Sequence, residues 1–310
     1  MGLGELYPEK RCFAAENWGR GAAYALLLAP RPGFCIGNIA GAGYNLPMRA
    51  KKHFRRWVLL LLGAGVLGVW LYATPPGLLG KADAVAYAVC SRNPLHSPFL
   101  GARQMPLCFR DTGMHLGALM TLLFLAWRAP RQGAFPKGAA AGLLGLLAAA
   151  FALDGGNSFV YAAKGRALYL PHNALRLATG LGMGIVIGAL LYAAFQQTVW
   201  QQWEDAPALT LRRLGVLMLL AAAAGAVVWS GNPLALYPLA LLSAGDVVLL
   251  LGVIYGLFAI GLLRRENTAH TWRDLTGFFY VGWLVAMLQI GLFDALRFAV
   301  THTWGGFPLP

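Results

Sequence analysis

Charge is scarce in this chain, and acidic charge is scarcest. Its 310 residues include 12 Asp and Glu against 25 Lys and Arg, and charged residues make up 12% of the total. That is about half the fraction a soluble domain carries, so a solvated globular surface is excluded. Cysteine is also rare, at four residues, far too few for a disulfide scaffold. The metal-protease signature HExxH and the nucleophile elbow GxSxG are both missing. No repeat relates the two halves of the chain, although many transporters show one. The net charge of +13 does not make a nucleic-acid partner either, because the basic residues form no stripe with interleaved stacking aromatics.

Apolar residues fill what remains, at 58%, and they come in long blocks instead of alternating or half-buried faces. Blocks of that kind belong to helices whose solvent is lipid. The pattern predicts an all-α polytopic transmembrane bundle of about seven spans: 57–74, 112–127, 138–154, 173–196, 212–230, about 243–263 and 275–300. Pro238 is expected to split a short interfacial piece from the sixth span. Basic runs set the orientation. Arg49, Lys51, Lys52, Arg55 and Arg56 precede the first span, and Arg128, Arg131, Lys137, Arg212, Arg213, Arg264, Arg265 and Arg273 fall on the same side by alternation. The N-terminus is therefore predicted inside and the C-terminus outside, in a bacterial cytoplasmic membrane. Residues 1–47 have scattered Gly and Pro and no sustained period, and Met48 opens the basic cluster. They read as a disordered leader upstream of a natural start at Met48, with Cys12 and Cys35 given no role. Residues 48–310 read as a single transmembrane helical domain.

Side-chain chemistry concentrates in the loop 75–111, predicted to be extracytoplasmic. Cys90, His96, Cys108 and Asp111 offer two thiols, an imidazole and a carboxylate, a set that suits tetrahedral zinc. A Cys90–Cys108 disulfide is the default for two cysteines in one extracytoplasmic loop, worth about 3 kcal/mol in the chain-entropy account. Free or redox-active thiols are the third alternative. Pro94, Pro98 and Pro106 shape the loop.

Polar residues at span depth gather toward the same side: Arg110, Asp154, Asn173, Arg176, Asp246, Asp294 and Arg297. Ionisable groups in lipid are costly, so they should face the bundle interior and pair. The expected pairs are Asp154 or Asp246 with Arg176, and Asp294 with Arg297. They either fix helix packing or line an outward polar pocket. Gly180, Gly184 and Gly188, Gly113 with Gly117, and Gly252 with Gly256 have the small-xxx-small spacing that lets helices approach closely.

The stretch from Cys90 to Gly188 resembles a membrane-protein family, domain of unknown function 2085. Cys90, Pro106, Cys108, Arg110, Thr112, Gly113 and Gly117 match its first element. Asp154, Gly155, Asn173, Arg176, Thr179, Gly180 and Gly184 match its second. Ser91 stands where the family has histidine, His96 where it has arginine, and Asp111 where it has the last cysteine. The resemblance implies a membrane fold and carries no chemistry. The expectation is thus a multi-pass membrane protein in contact with lipid, acting without catalysis as an accessory or transporter-like subunit, alone or with a membrane partner or second copy. The alternative is an integral membrane enzyme or metal/thiol relay, using the loop residues with Asp154, Asp246, Asp294, His115 and His172.

Overall fold

The chain begins its first long helix at the basic cluster. The computed structural model describes residues 48–306, with side chains from residue 57 onward. The leader, Cys12 and Cys35 lie outside the described residues. Among the described residues there are eight α-helices: α1 Met48–Ala73, α2 Leu78–Val89, α3 Phe109–Arg128, α4 Gly138–Lys164, α5 Asn173–Val199, α6 Leu211–Trp229, α7 Pro233–Leu262 and α8 Thr276–Thr301. Four short strands accompany them: β1 Phe99–Leu100, β2 Arg103–Gln104, β3 Gln132–Ala134 and β4 Glu204–Pro207.

Five described helices are long and apolar enough to cross a bilayer: α4, α5, α6, α7 and the segment ending in α8. A sixth arises if α1 and α2, bent by 103° at their junction, count as one span. The difference from seven lies in α3. At 20 residues it is about 30 Å long and could reach across. Arg110, Asp111, His115 and Arg128 make it less apolar than the others.

The α1–α2 bend has a local cause. Pro75 and Pro76 stop the first helix, and the Lys81 ammonium donates to the orphaned carbonyls of Leu71 and Thr74 and to the Thr74 hydroxyl. Pro238, by contrast, does not divide the sixth segment. α7 runs unbroken for 30 residues, about 45 Å. Pro238 lies in its second turn, where the missing N–H forfeits one bond close to the start of the helix. Asn232 caps α7 through Leu234 N–H, with Pro233 at the first position.

α5 is the central helix: 72% of its apolar window is buried, against 17% for α4. Its glycine row faces that of α3. A Cβ on Gly113 would stand 2.6 Å from the Leu177 carbonyl oxygen, and one on Gly188 would stand 2.7 Å from Thr121 Cβ. Gly252 and Gly256 of α7 meet Gly282 of α8 in the same way. Both seams depend on residues without side chains.

The strands β1 and β2 pair antiparallel at the end of the bundle that holds Cys90 and Cys108. At the opposite end β3 pairs with β4 in parallel, Gln132 opposite Glu204 and Ala134 opposite Pro207. The basic loop after α3 is therefore built into the fold. Arg213 ties it down by donating to Gln132 Oε1 and the Ala208 and Arg128 carbonyls.

Candidate functional site

Cys90 caps the C-terminus of α2 and Cys108 the N-terminus of α3, so two helix ends bring the thiols together. Asp111 lies in the first turn of α3, where a negative charge is favoured by the helix dipole. The Cys108 thiol donates to Asp111 Oδ2 at 3.3 Å, and Cys90 Sγ accepts from Arg92 N–H at 3.4 Å. One ligand atom from each of Cys90, Cys108 and Asp111 lies within 4.8 Å of the other two. Both cysteines are free thiols, so the expected disulfide is not formed; each sulfur instead has a polar partner of its own. Cys90 is buried, and its thiol is pushed well above the ordinary range by its hydrogen bond with Cys108, by burial and by the neighbouring Cys108 and Asp111 charges.

Arg297 anchors the Cys90 end. Its guanidinium donates to the carbonyls of Tyr87 and Cys90 at 2.6 Å and of Ser91 at 3.0 Å, and stacks 3.8 Å from the centre of the Tyr87 ring. It therefore neutralises the exposed C-terminus of α2 and does not pair with Asp294. On the other side of the loop, Asp83 holds Arg92 at 2.8 Å and Arg103 at 2.7 Å. Arg92 reaches on to the Trp304 carbonyl.

A second group lies beside the thiols. Arg110 pairs with Asp154 Oδ2 and donates to Ser158 Oγ at 3.0 Å. Asp154 also accepts from the Tyr169 hydroxyl at 3.0 Å and from Thr179 Oγ1 at 3.4 Å. Arg176 donates to Asn173 Oδ1 at 2.7 Å, and Asn173 Nδ2 donates to the Leu95 carbonyl. The expected Asp154–Arg176 pair is thus replaced by Asp154–Arg110. The reason is that α4 continues past Asp154 to Lys164, so Asp154 lies inside the helix and not at its end.

His96 belongs with these arginines and not with Cys90, Cys108 and Asp111. It ends the 3-10 turn Pro94–His96, and its pKa is lowered from 6.5 to about 4 by burial and by the charges of Arg176 and Arg110. Between those values the unfolded chain takes up a proton that the folded protein resists, so this residue's contribution to stability is lost as pH falls. His96→Asn should melt with a shallower loss from pH 6.5 to 4 than the parent, followed by thermal unfolding in detergent. Carboxylates titrate in the same window, and the comparison with the variant removes their share.

The geometry comes from one stretch of chain. Residues 90–190 match the family model described as "Predicted membrane protein (DUF2085)". No curated protein and no solved structure matches the chain. The matched segment supplies Cys90, His96, Cys108, Arg110, Asp111, Asp154, Asn173 and Arg176, while α6 and α7 from outside it pack against its helices.

Helices outside the matched segment bring two more carboxylates. Asp246 of α7 meets His115 Nδ1 of α3 at 3.0 Å, both buried, in place of the expected pair with Arg176. Asp294 of α8 accepts from Trp70 Nε1 at 3.0 Å. His172 caps α5 through Ala174 N–H and lies 6.0 Å from the Trp229 ring, away from the thiols' partners. Thr179, named in the sequence only as a motif residue, completes these networks with Trp70, Ser158 and Tyr169, which were not singled out; as neutral residues in apolar or loop stretches these three gave no signal.

Proposed function

We propose that this multi-pass membrane protein binds one divalent metal ion, zinc, through Cys90, Cys108 and Asp111. The observation that carries the reading is the gathering of two unbonded sulfurs and a carboxylate oxygen within 4.8 Å. A zinc ion needs Zn–S of about 2.3 Å and Zn–O of about 2.0–2.2 Å, so a small contraction of the triad would close the site. Two thiolates and a carboxylate would bring three negative charges to a dication. Arg176 lies near enough to Cys108 for its charge to offset the excess. Zinc would also take the place of the proton that the hydrogen bond with Cys108 and burial keep on the Cys90 thiol.

Three protein ligands leave a fourth position open. The site therefore suits metal binding with exchange, as in an accessory protein that receives or passes on an ion. By the distribution of basic residues it would face away from the cytoplasm of a bacterial inner membrane, beneath the β1–β2 hairpin. Purified protein is expected to hold about one zinc per chain, and the bound metal to slow alkylation of both thiols. Asp111→Asn should weaken the affinity about tenfold or more, and Cys108→Ser should abolish binding. Alkylation at one rate with and without zinc, together with metal-free protein, would sink the proposal.

A further inference from the structure

Arg176 is only 6% exposed, yet it forms no ion pair among the described residues. Its one side-chain hydrogen bond among them runs from Nη1 to Asn173 Oδ1 at 2.7 Å. Asn173 is held in turn by the Leu95 carbonyl, so the guanidinium is fixed on that side. Nε and Nη2 remain, the two groups whose N–H bonds point the same way along one edge of the plane. Neither has a partner among the described residues, and neither is sealed from solvent, whereas Nε of Arg110 is. This edge is the fork that matches two oxygens of an oxyanion.

The surroundings are positive and lack an anion to match. Arg110 is the second residue of α3 and Arg176 the fourth of α5. Both therefore stand at the positive end of a helix dipole, where a cation is disfavoured and an anion is not. Asp154 is already engaged, accepting from Arg110, Tyr169 and Thr179. His96 completes the group. Burial and the charges of Arg176 and Arg110 lower its pKa to about 4, so at pH 7 the ring is neutral and has one N–H to give. That ring has no hydrogen-bond partner among the described residues. Buried charges are ordinarily paired, and here a fork and a ring donor are left over in one place.

We propose that Arg176 and His96, with Arg110 beside them, bind a phosphate group. Two phosphate oxygens would take the Arg176 fork and a third the His96 N–H, with the Arg110 charge adding to the attraction. A carboxylate would spend both its oxygens on the fork and leave His96 unpaired. A cation would be repelled by both arginines. The phosphate could be a free ion or the headgroup of a lipid, since the chemistry that recognises it is the same. None of these three residues belongs to the set Cys90, Cys108 and Asp111, so the site stands or falls without zinc.

The test is calorimetric titration of the metal-free, detergent-purified full chain with inorganic phosphate and, separately, with short-chain phosphatidic acid. Acetate is the two-oxygen control. At least one of the phosphates should bind about tenfold or more tighter than acetate, the share of the added hydrogen bond and charge. Binding of inorganic phosphate assigns the free ion, and binding of phosphatidic acid alone assigns a lipid headgroup. Arg176→Lys keeps the charge and removes the fork, and should weaken binding about tenfold or more. His96→Phe keeps a ring and removes the N–H, and should weaken it about fivefold. His96 is half-buried in a loop, so its variant tests the site even where the Arg176 variant does not fold. No binding of either phosphate to the parent, equal affinity for acetate, or parental affinity in either folded variant would overturn the proposal.

Discussion

Gly184→Val is expected to leave little folded protein. The first side-chain carbon at this position would lie 2.7 Å from the Ala118 amide nitrogen and 2.8 Å from Gly117 Cα, with the Met114 carbonyl oxygen closer still. All three are backbone atoms of α3, so no rotamer change relieves the contact, and the helices must separate. They cannot separate cheaply, because Gly113, Gly117, Gly180 and Gly188 press into the same seam. In lipid the hydrophobic effect does not hold two helices together; close packing and interhelical hydrogen bonds do. Opening this seam also moves Cys108, Arg110 and Asp111 at the start of α3 away from α5. A loss above about 4 kcal/mol belongs to the diagnostic class of point substitutions. Gly142→Ala is the matching control: nothing lies within 4 Å of its Cβ position, and the helix gains up to about 1 kcal/mol from the better helix former. The readout is the monodisperse fraction on size exclusion, followed by thermal unfolding. A Gly184→Val protein that melts with the parent would mean α3 and α5 do not meet along this row.

That seam was half legible in the sequence. The spacing of Gly113, Gly117, Gly180, Gly184 and Gly188 identifies close-approach faces but not which face meets which, because a helical period fixes direction around one axis only. Gly282, which completes the α7–α8 seam, makes its small-xxx-small step with Ala286 and not with a second glycine, so a reading of paired glycines passes over it. The apolar blocks gave the helices themselves, since burial in lipid leaves a long-range pattern. The ends were less secure. α4 outruns the reading at Asp154 because Gly155, Gly156, Asn157 and Ser158 look like a terminus, yet they continue the helix with Asn157 bonded to the backbone of Leu168 and Tyr169. That misplacement alone sent Asp154 to Arg176 and not to Arg110. In the loop, Cys90, Cys108 and Asp111 were named together with His96. Only the fold reveals that the 3-10 turn carries His96 toward the arginines. The β3–β4 pairing joins segments some 70 residues apart, for which a few strand residues leave no period to read.

The other large effect lies in the Arg110–Asp154 pair, where removal of one partner and removal of both should differ in outcome. The Asp154 side chain is 1% exposed and that of Arg110 19%, so solvent does little to screen their interaction. Arg110→Leu strands a carboxylate that keeps only Tyr169 and Thr179 as donors. Asp154→Leu strands a guanidinium beside a second one, Arg176, so repulsion replaces attraction. Each single variant should lose about 3–5 kcal/mol, the penalty of a buried charge without its partner. The double Leu variant removes both charges and leaves a packed apolar contact between α3 and α4. It should recover most of the loss, giving a coupling of at least about 2 kcal/mol in the double-mutant cycle. Additive losses would show that the two side chains do not pair. Zinc retention in the double variant then separates two roles for this cluster. The triad Cys90, Cys108 and Asp111 is fixed by the ends of α2 and α3, not by Asp154, so unchanged zinc affinity is expected where stability has recovered. A recovered fold that no longer held zinc would make the Arg110–Asp154 pair part of the proposed metal site, and the polar end of the bundle one functional unit instead of two neighbours.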